Sequence, residues 1–247
     1  MNTNFKISGI HHITAIASAT TENLVFYEKV LGLRLVKKTV NFDDPYTYHL
    51  YYGDLQGSPG TLLTFFLWKN SPRGKTGAEM VNSIAFSIPT GAIGYWQKRF
   101  NRYGIEAKES QRFGDRVIQF QDPHGLPLEL ITTAVAHSNS ISKDSPIPTD
   151  HCIIGLHSAT ALLNSLESTQ FLLMDLMEMM SRDQEGNRYR FTMKMTMLSG
   201  IFLMWLSTLE LKTGGRVVVR FITLPFEHRQ TMNSKTGEDC WFIVGFP

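Results

Sequence analysis

Two adjacent histidines carry the clearest chemical potential in this chain. They sit in Gly9-Ile10-His11-His12-Ile13-Thr14-Ala15-Ile16, and neutral imidazole is a common ligand for Fe, Zn, Cu and Ni. The run reads as a β-strand, with Ile10, His12 and Thr14 on one face and His11, Ile13 and Ala15 on the other. On that reading only one histidine of the pair serves any given pocket. An isolated His-His pair is most simply two ordinary half-buried residues, so its meaning depends on the rest of the chain. Two further ligand-type residues fall on predicted strands, His49 in Thr47–Tyr52 and Glu129 in Leu126–Thr132. The simpler reading of each is structural. His124, in Asp122-Pro123-His124-Gly125, belongs to a turn, and Arg73-Gly74-Lys75 to a solvated loop. No Gly-rich phosphate loop, Ser-His-Asp set or Cys-His nucleophile pattern stands out.

The elements that must position these residues follow a repeating order. After the opening strand, Leu24, Tyr27, Val30 and Leu31 fall at helical spacing, with Thr20 or Thr21 as N-cap and Gly32 as the stop. Strands are predicted at Leu33–Val40, Thr47–Tyr52 and Thr61–Trp68, separated by turn signals at Asp43-Asp44-Pro45, Gly53-Asp54 and Gly57-Ser58-Pro59-Gly60. The order then repeats: strand Val81–Ile88, helix Ile93–Tyr103, and strands Ile105–Glu109, Arg116–Gln121 and Leu126–Thr132. A third copy opens at Gly155-Leu156-His157-Ser158-Ala159-Thr160, aligned with Gly9–Thr14 at an offset of 146, with its helix at Ser168–Met177. Such repetition fixes architecture before any single motif does.

A tandem of strand-helix-three-strand units resembles the vicinal oxygen chelate superfamily, which includes glyoxalases and extradiol dioxygenases. Residues 8–133 resemble more narrowly the first half of bacterial ring-cleaving dioxygenases that act on hydroquinones. The strings that carry this are GIHHITAI, FYEKVLGLRLVKKTVNFDDP, YHLYYGD, GSPGTLLTFF, RFGDR and QDPHGLPLELITT. The resemblance implies an α+β fold of tandem βαβββ units forming vicinal oxygen chelate modules, their mixed sheets curled into open cups. It implies an Fe(II) enzyme that opens an aromatic ring with O₂, on a small substrate of hydroquinone or catechol type. The metal would be held by two His and one carboxylate, an arrangement that leaves three positions open. The family's first ligand corresponds to His12, with His11 and Thr14 as neighbours that contact substrate or support the ligand. The last-strand Glu of a unit is a metal-ligand position elsewhere in the superfamily, which is the case for weighing Glu129.

Composition bounds the remaining possibilities. A 247-residue chain with 43% hydrophobic residues can fill one large or two small domains. Its net charge of +2, with no Lys/Arg stripe, argues against a nucleic-acid partner. Cys152 and Cys240 match no zinc spacing and point to a reducing compartment. The absence of a signal-peptide pattern and of an apolar run of about 18 residues points to a cytoplasmic protein without a membrane partner. The expected division is a first module at 1–133, a Ser-rich linker at 134–150 and a second module at 151–247, with homo-oligomerisation open.

The remaining iron ligands are missing from the expected places. Unit two opens with Asn82-Ser83, and unit three has Ser158 at the place equivalent to His12. Unit four should open near Val217–Phe226, but VVVRFITLPF there contains no histidine. Its Glu would fall beyond Pro247. From Thr192 onward the local patterns conflict, as in Met193, Met195 and Met197 alternating with Lys194 and Thr196. A shifted reading frame accounts for this: codons permitted for Arg220–Phe226 yield the family-like VHHIAF, and those for Leu203–Leu209 yield DVVVDP. The expectation is a frameshifted and incomplete second module, so that Fe(II) belongs to intact relatives and this chain is inactive or impaired. Two alternatives remain: a glyoxalase-like metal enzyme completed by a second subunit, and a metal-free module that binds small aromatics.

Overall fold

The computed structural model describes residues 9–69, 77–134 and 145–193, and the backbone alone at 201–206, 220–221 and 242–243. Most of the expected linker (135–144), the Arg73-Gly74-Lys75 loop and most of the chain after Met193 lie outside the described residues. Unit one comprises β1 (His12–Ala17), α1 (Thr20–Leu24), β2 (Arg34–Val40), β3 (Tyr48–Gly53) and β4 (Leu62–Leu67). Unit two comprises β5 (Met80–Pro89), α2 (Ile93–Arg102), β6 (Lys108–Arg112), β7 (Asp115–Gln121) and β8 (Pro127–Thr133). Unit three contributes β9 (Gly155–Leu163), α3 (Glu167–Phe171), β10 (Met180–Glu185), β11 (Arg188–Thr192) and β12 (Ile201–Leu206). Short strands β13 (Arg220–Phe221) and β14 (Phe242–Ile243) pair with each other, and β13 lies beside β1.

The units share one plan, α+β as the repeat predicts. In each, the opening strand runs parallel to the last, and the middle strands pair antiparallel. Unit one forms a four-stranded sheet in the order β1-β4-β3-β2. Units two and three join through antiparallel pairing of β5 with β9, giving an eight-stranded sheet ordered β10-β11-β12-β9-β5-β8-β7-β6.

One apolar core links the first sheet to the second through the helices. Ile13, Leu50, Leu63 and Phe65 face it from unit one, and Ile84, Phe86, Trp96 and Phe100 from unit two. Tyr27 sits at its centre, stacked on Tyr52 at 5.1 Å, and donates a hydrogen bond to Asp122 Oδ2 at 3.0 Å. Buried Arg99 on α2 ties the units together by donating to the carbonyls of Lys29, Val30 and Pro146. The bonds to Lys29 and Val30 satisfy carbonyls at the end of the neighbouring helix, which otherwise lack partners.

Three local expectations are corrected. The residue capping α1 is Ala19, which offers no side-chain bond, because Thr20 is already helical. The helix is short and widens into a π-helical segment, Val25–Val30, closed by Leu31 N–H to Phe26 O. That wider turn brings Phe26, Tyr27 and Val30 to the core together. Unit three repeats it at Leu172–Leu176, closed by Met177 N–H to Leu172 O. The strand expected at Ile105–Glu109 begins only at Lys108, since Ile105 N–H still bonds Phe100 O at the end of α2.

The stop at Gly32 is as expected, with φ +69°, and an added Cβ there would lie 2.6 Å from Ile147 Cδ1. The corresponding residue of unit three is Glu178, at φ +54° with a side chain that disfavours that conformation. Gly32→Ala should therefore lower the denaturation midpoint. Glu178→Gly should raise stability by about 1 kcal/mol, the scale of the left-handed penalty. Equilibrium urea unfolding of the two variants measures both signs.

Candidate functional site

The first sheet has an apolar face and a polar face, and the registers assign residues to each. Thr14 pairs with Thr64, Thr64 with Tyr51, and Tyr51 with Lys37, so this row crosses all four strands on one side. His12 and His49 lie on that same side, two residues from Thr14 and Tyr51 respectively. The opposite side carries Ile13, Leu50, Leu63 and Phe65 into the core. Alternation in Tyr48-His49-Leu50-Tyr51-Tyr52 is thus the sequence signal for His49 and Tyr51 as partners, and Thr64 follows from the register alone.

His11 and His12 do not split to opposite faces. Their Nδ1 atoms are 3.1 Å apart, with the rings edge to face. The strand begins only at His12, and both Ile10 and Ile13 are core residues, so the alternation is broken between them. His11 belongs to the entry segment, where its carbonyl accepts from Gly60 N–H. Unit three repeats the geometry: His157 Nδ1 lies 2.9 Å from Ser158 Oγ. There the cause is visible in the register, because β9 carries one extra residue between the Leu156–Phe86 and Ser158–Ala85 pairs. A bulge of this kind re-aims a side chain.

Hydrogen bonds run along the polar face. Thr14 Oγ1 and Thr64 Oγ1 are 2.9 Å apart, Thr64 Oγ1 and His49 Nε2 2.9 Å, and His49 Nδ1 and Tyr51 Oη 2.9 Å. Both ring nitrogens of His49 are therefore engaged, which makes it a hydrogen-bonding link rather than a metal ligand. Phe66 lies against its ring at 4.2 Å. Burial pushes the Tyr51 phenol up, so it stays protonated at neutral pH.

The second sheet handles the corresponding positions differently. Ala85 pairs with Glu129 as Thr14 pairs with Thr64, so Glu129 occupies the place of Thr64. Glu129 is 3% exposed and accepts from Arg112 at 2.9 and 2.8 Å and from Gln119 at 3.1 Å. Both carboxylate oxygens of Glu129 are thus taken by the buried Arg112 guanidinium. Arg190 bridges to Asp115 at 2.8 Å, and Phe113 N–H donates to Glu185, closing the curled sheet across its outer strands. His157 is buried within this enclosure, and desolvation lowers its pKa to about 4. His124 lies in the predicted turn, its N–H donating to Asp122 Oδ1.

A two-His-one-carboxylate iron site requires three ligands converging on one ion. Among the described residues no three His, Cys, Asp or Glu side chains gather in that way. His12 lies on the polar face of the first sheet, while His49 and Glu129 are committed to other partners. The described residues do not by themselves fit Fe(II). None of the helices among them is long and apolar enough to cross a membrane.

Comparison with known proteins places this geometry. A family model described as "Glyoxalase/Bleomycin resistance protein/Dioxygenase superfamily" matches residues 9–130. The protein named "Putative ring-cleaving dioxygenase MhqO" from Bacillus subtilis is 42% identical over 187 residues, covering 75% of this chain and 60% of its own length. The chlorohydroquinone/hydroquinone 1,2-dioxygenase of Sphingobium indicum is 31% identical over 191 residues, covering 75% of this chain and 59% of that protein. A crystal structure of a "putative dioxygenase" from B. subtilis superposes with a TM-score of 0.78 at 37% identity, over 86% of this chain and 67% of that one. The chain thus spans about three fifths of the length of these two curated relatives.

Removing Arg112 alone leaves Glu129 buried without its cation. Arg112→Met should destabilise the protein by about 3–5 kcal/mol, and adding Glu129→Leu should recover most of that. Thermal and urea unfolding of the single and double variants decide it. His157 gives a pH signature of known sign. Its folded pKa lies below the unfolded 6.5, so stability is undiminished above that pH and falls on acidification towards about 4. His157→Gln should flatten that part of the stability curve.

Proposed function

Because the chain belongs to the Glyoxalase/Bleomycin resistance protein/Dioxygenase superfamily, we propose that its first sheet is the phenol-binding face of a ring-cleaving dioxygenase cup. The row of His12, Thr14, Thr64, His49 and Tyr51 on one sheet face carries this reading. Such a face supplies hydroxyl and imidazole partners for the two oxygens of a hydroquinone or catechol, and the Phe66 and Tyr51 rings offer an apolar flank for its ring. His12 would be the first metal ligand, with its Nδ1 held against His11 so that Nε2 serves the ion. His11 and Thr14 would contact the substrate oxygens.

The same reading denies this chain turnover. Three converging ligands are needed to hold Fe(II) with positions left for substrate and O₂, and the described residues present one. The chain would therefore bind the aromatic without opening it, while ring cleavage with iron and O₂ belongs to relatives that carry the full ligand set. The frame-shifted reading of 217–226 accounts for the missing second histidine, and the gene's nucleotide sequence tests it: absence of a VHHIAF frame would end it.

Oxygen uptake by the purified chain, with added Fe(II) and a panel of hydroquinones and catechols, should stay at the protein-free rate. Turnover that disappears on His12→Ala would overturn the claim of lost catalysis. Binding of 4-nitrocatechol should nonetheless be measurable by difference absorbance, and its absence would overturn the phenol-binding face. Stoichiometric tight metal in the purified protein would instead favour a site completed by a second subunit.

A further inference from the structure

Units one and three correspond residue by residue through their helices, yet one position has opposite surroundings in the two. Leu31 N–H to Phe26 O and Leu33 N–H to Tyr27 O recur as Met177 N–H to Leu172 O and Met179 N–H to Leu173 O. The offset of 146 therefore holds in the backbone. At that offset Tyr27 corresponds to Leu173, and both are buried. Val30 corresponds to Leu176, but Val30 is 4% exposed and Leu176 is 64% exposed. Phe171 and Met174 of the same segment are exposed as well.

Unit one shows what such a position is built to meet. Val30 shares its core with Trp96 and Phe100 of α2. Between those two rings, Arg99 donates to the carbonyls of Lys29 and Val30 at 2.6 and 2.8 Å. A guanidinium there satisfies the last carbonyls of the helix and meets the negative end of its dipole. The corresponding carbonyls of unit three belong to Asp175 and Leu176. The charge beside them has turned negative, since Lys29 is replaced by Asp175 and Gly32 by Glu178, and both acids are exposed. Glu178 carries its charge at φ +54°, a conformation its side chain disfavours. The chain's own stretch Glu227–Asp239 has Met232 as its single apolar residue, so it offers no apolar stripe to lay on this face.

We propose that the Leu176 face of unit three docks a basic amphipathic helix of another polypeptide. The apolar stripe of that helix covers Leu176 and Met174, and an arginine between its apolar residues donates to the carbonyls of Asp175 and Leu176. Asp175 and Glu178 attract the same cation from the rim. A second copy of this chain is a poor occupant, because an identical face brings Glu167, Asp175 and Glu178 against their own kind.

The probe is a peptide of residues 90–105 of this chain, which carries Trp96, Arg99 and Phe100. In it Arg102→Glu is joined to Lys98 by a lactam, since a helix this short is marginal alone; both positions are exposed in α2. Circular dichroism verifies that the peptide is helical in the binding buffer. Anisotropy of the labelled peptide should show saturable binding to the full-length chain, weakening as salt rises. Leu176→Asn should weaken binding about tenfold or more while leaving the urea midpoint of the protein unchanged, because the residue is exposed. Asp175→Lys in the protein and Arg99→Gln in the peptide should each weaken it about tenfold. Glu178→Gly should weaken it at low salt although the protein itself becomes more stable. A helical peptide that does not bind, or that binds Leu176→Asn and wild type equally, overturns the proposal. Sedimentation showing a dimer of the chain alone that Leu176→Asn dissociates also overturns it, since a second copy then covers the face.

Discussion

A four-stranded unit of this kind can cover only one of its faces with its own helix, and that constraint governs the rest of the molecule. The apolar faces of units one and two meet over α1 and α2 in a shared core. The other face of each sheet has to be enclosed by a second unit. Units two and three achieve this by pairing β5 with β9, after which Arg190–Asp115 and Phe113–Glu185 draw the outer strands together. Unit one presents its polar face from a separate sheet, whose β1 edge has β13 beside it. A site that draws on two units is therefore complete only when both are complete.

The two polar faces resolve the same electrostatic problem in opposite ways. A carboxylate at the Glu129 position is stable in a buried setting only beside a cation with matching hydrogen bonds. Arg112 provides that cation, and the second enclosure becomes a structural ion-pair cluster around a neutral His157. The first sheet carries Thr64 at that position, so no charge has to be neutralised there. Its polar groups remain hydroxyls and imidazoles, able to accept or donate towards an incoming phenol. The difference between a charged and an uncharged polar face thus comes down largely to one position on the last strand.

Much of this was legible in the residues. The repeat at an offset of 146 gives the unit order, and the strands and the Gly32 stop follow from alternation and turn chemistry. The fate of the histidines was not legible. Strict alternation separates His11 from His12, whereas the strand begins three residues later than the pattern suggests, at His12, and the pair converges. In unit three the corresponding displacement comes from a bulge set by the pairing of β9 with β5, a long-range register that no local pattern encodes. Glu129 read as a lone strand carboxylate because its partner, Arg112, lies 17 residues away on a different strand. The π-helical segments were equally hidden, since Leu24, Tyr27, Val30 and Leu31 satisfy an α-helical spacing while the backbone widens beneath them.

Comparing units one and three shows which features belong to the fold and which to the chemistry. The closure of Leu31 on Phe26 recurs as Met177 on Leu172, and the left-handed position recurs at Gly32 and Glu178 even though the second is not glycine. Backbone geometry is thus retained where the side chain works against it, so the unit's packing enforces the conformation. The contact between a histidine Nδ1 and the next residue also recurs, at His11–His12 and His157–Ser158. It therefore cannot itself be the mark of a metal site, because Ser158 offers no imidazole. What separates the two is the company each keeps. His157 is buried among Arg112, Arg190, Asp115 and Glu129, whose opposed charges leave desolvation to hold it neutral. His12 shares its face with the Thr14 and Thr64 hydroxyls and a hydrogen-bonded His49. The two faces differ less in the histidine at the strand's start than in whether the opposite strand brings a charge that must be satisfied internally.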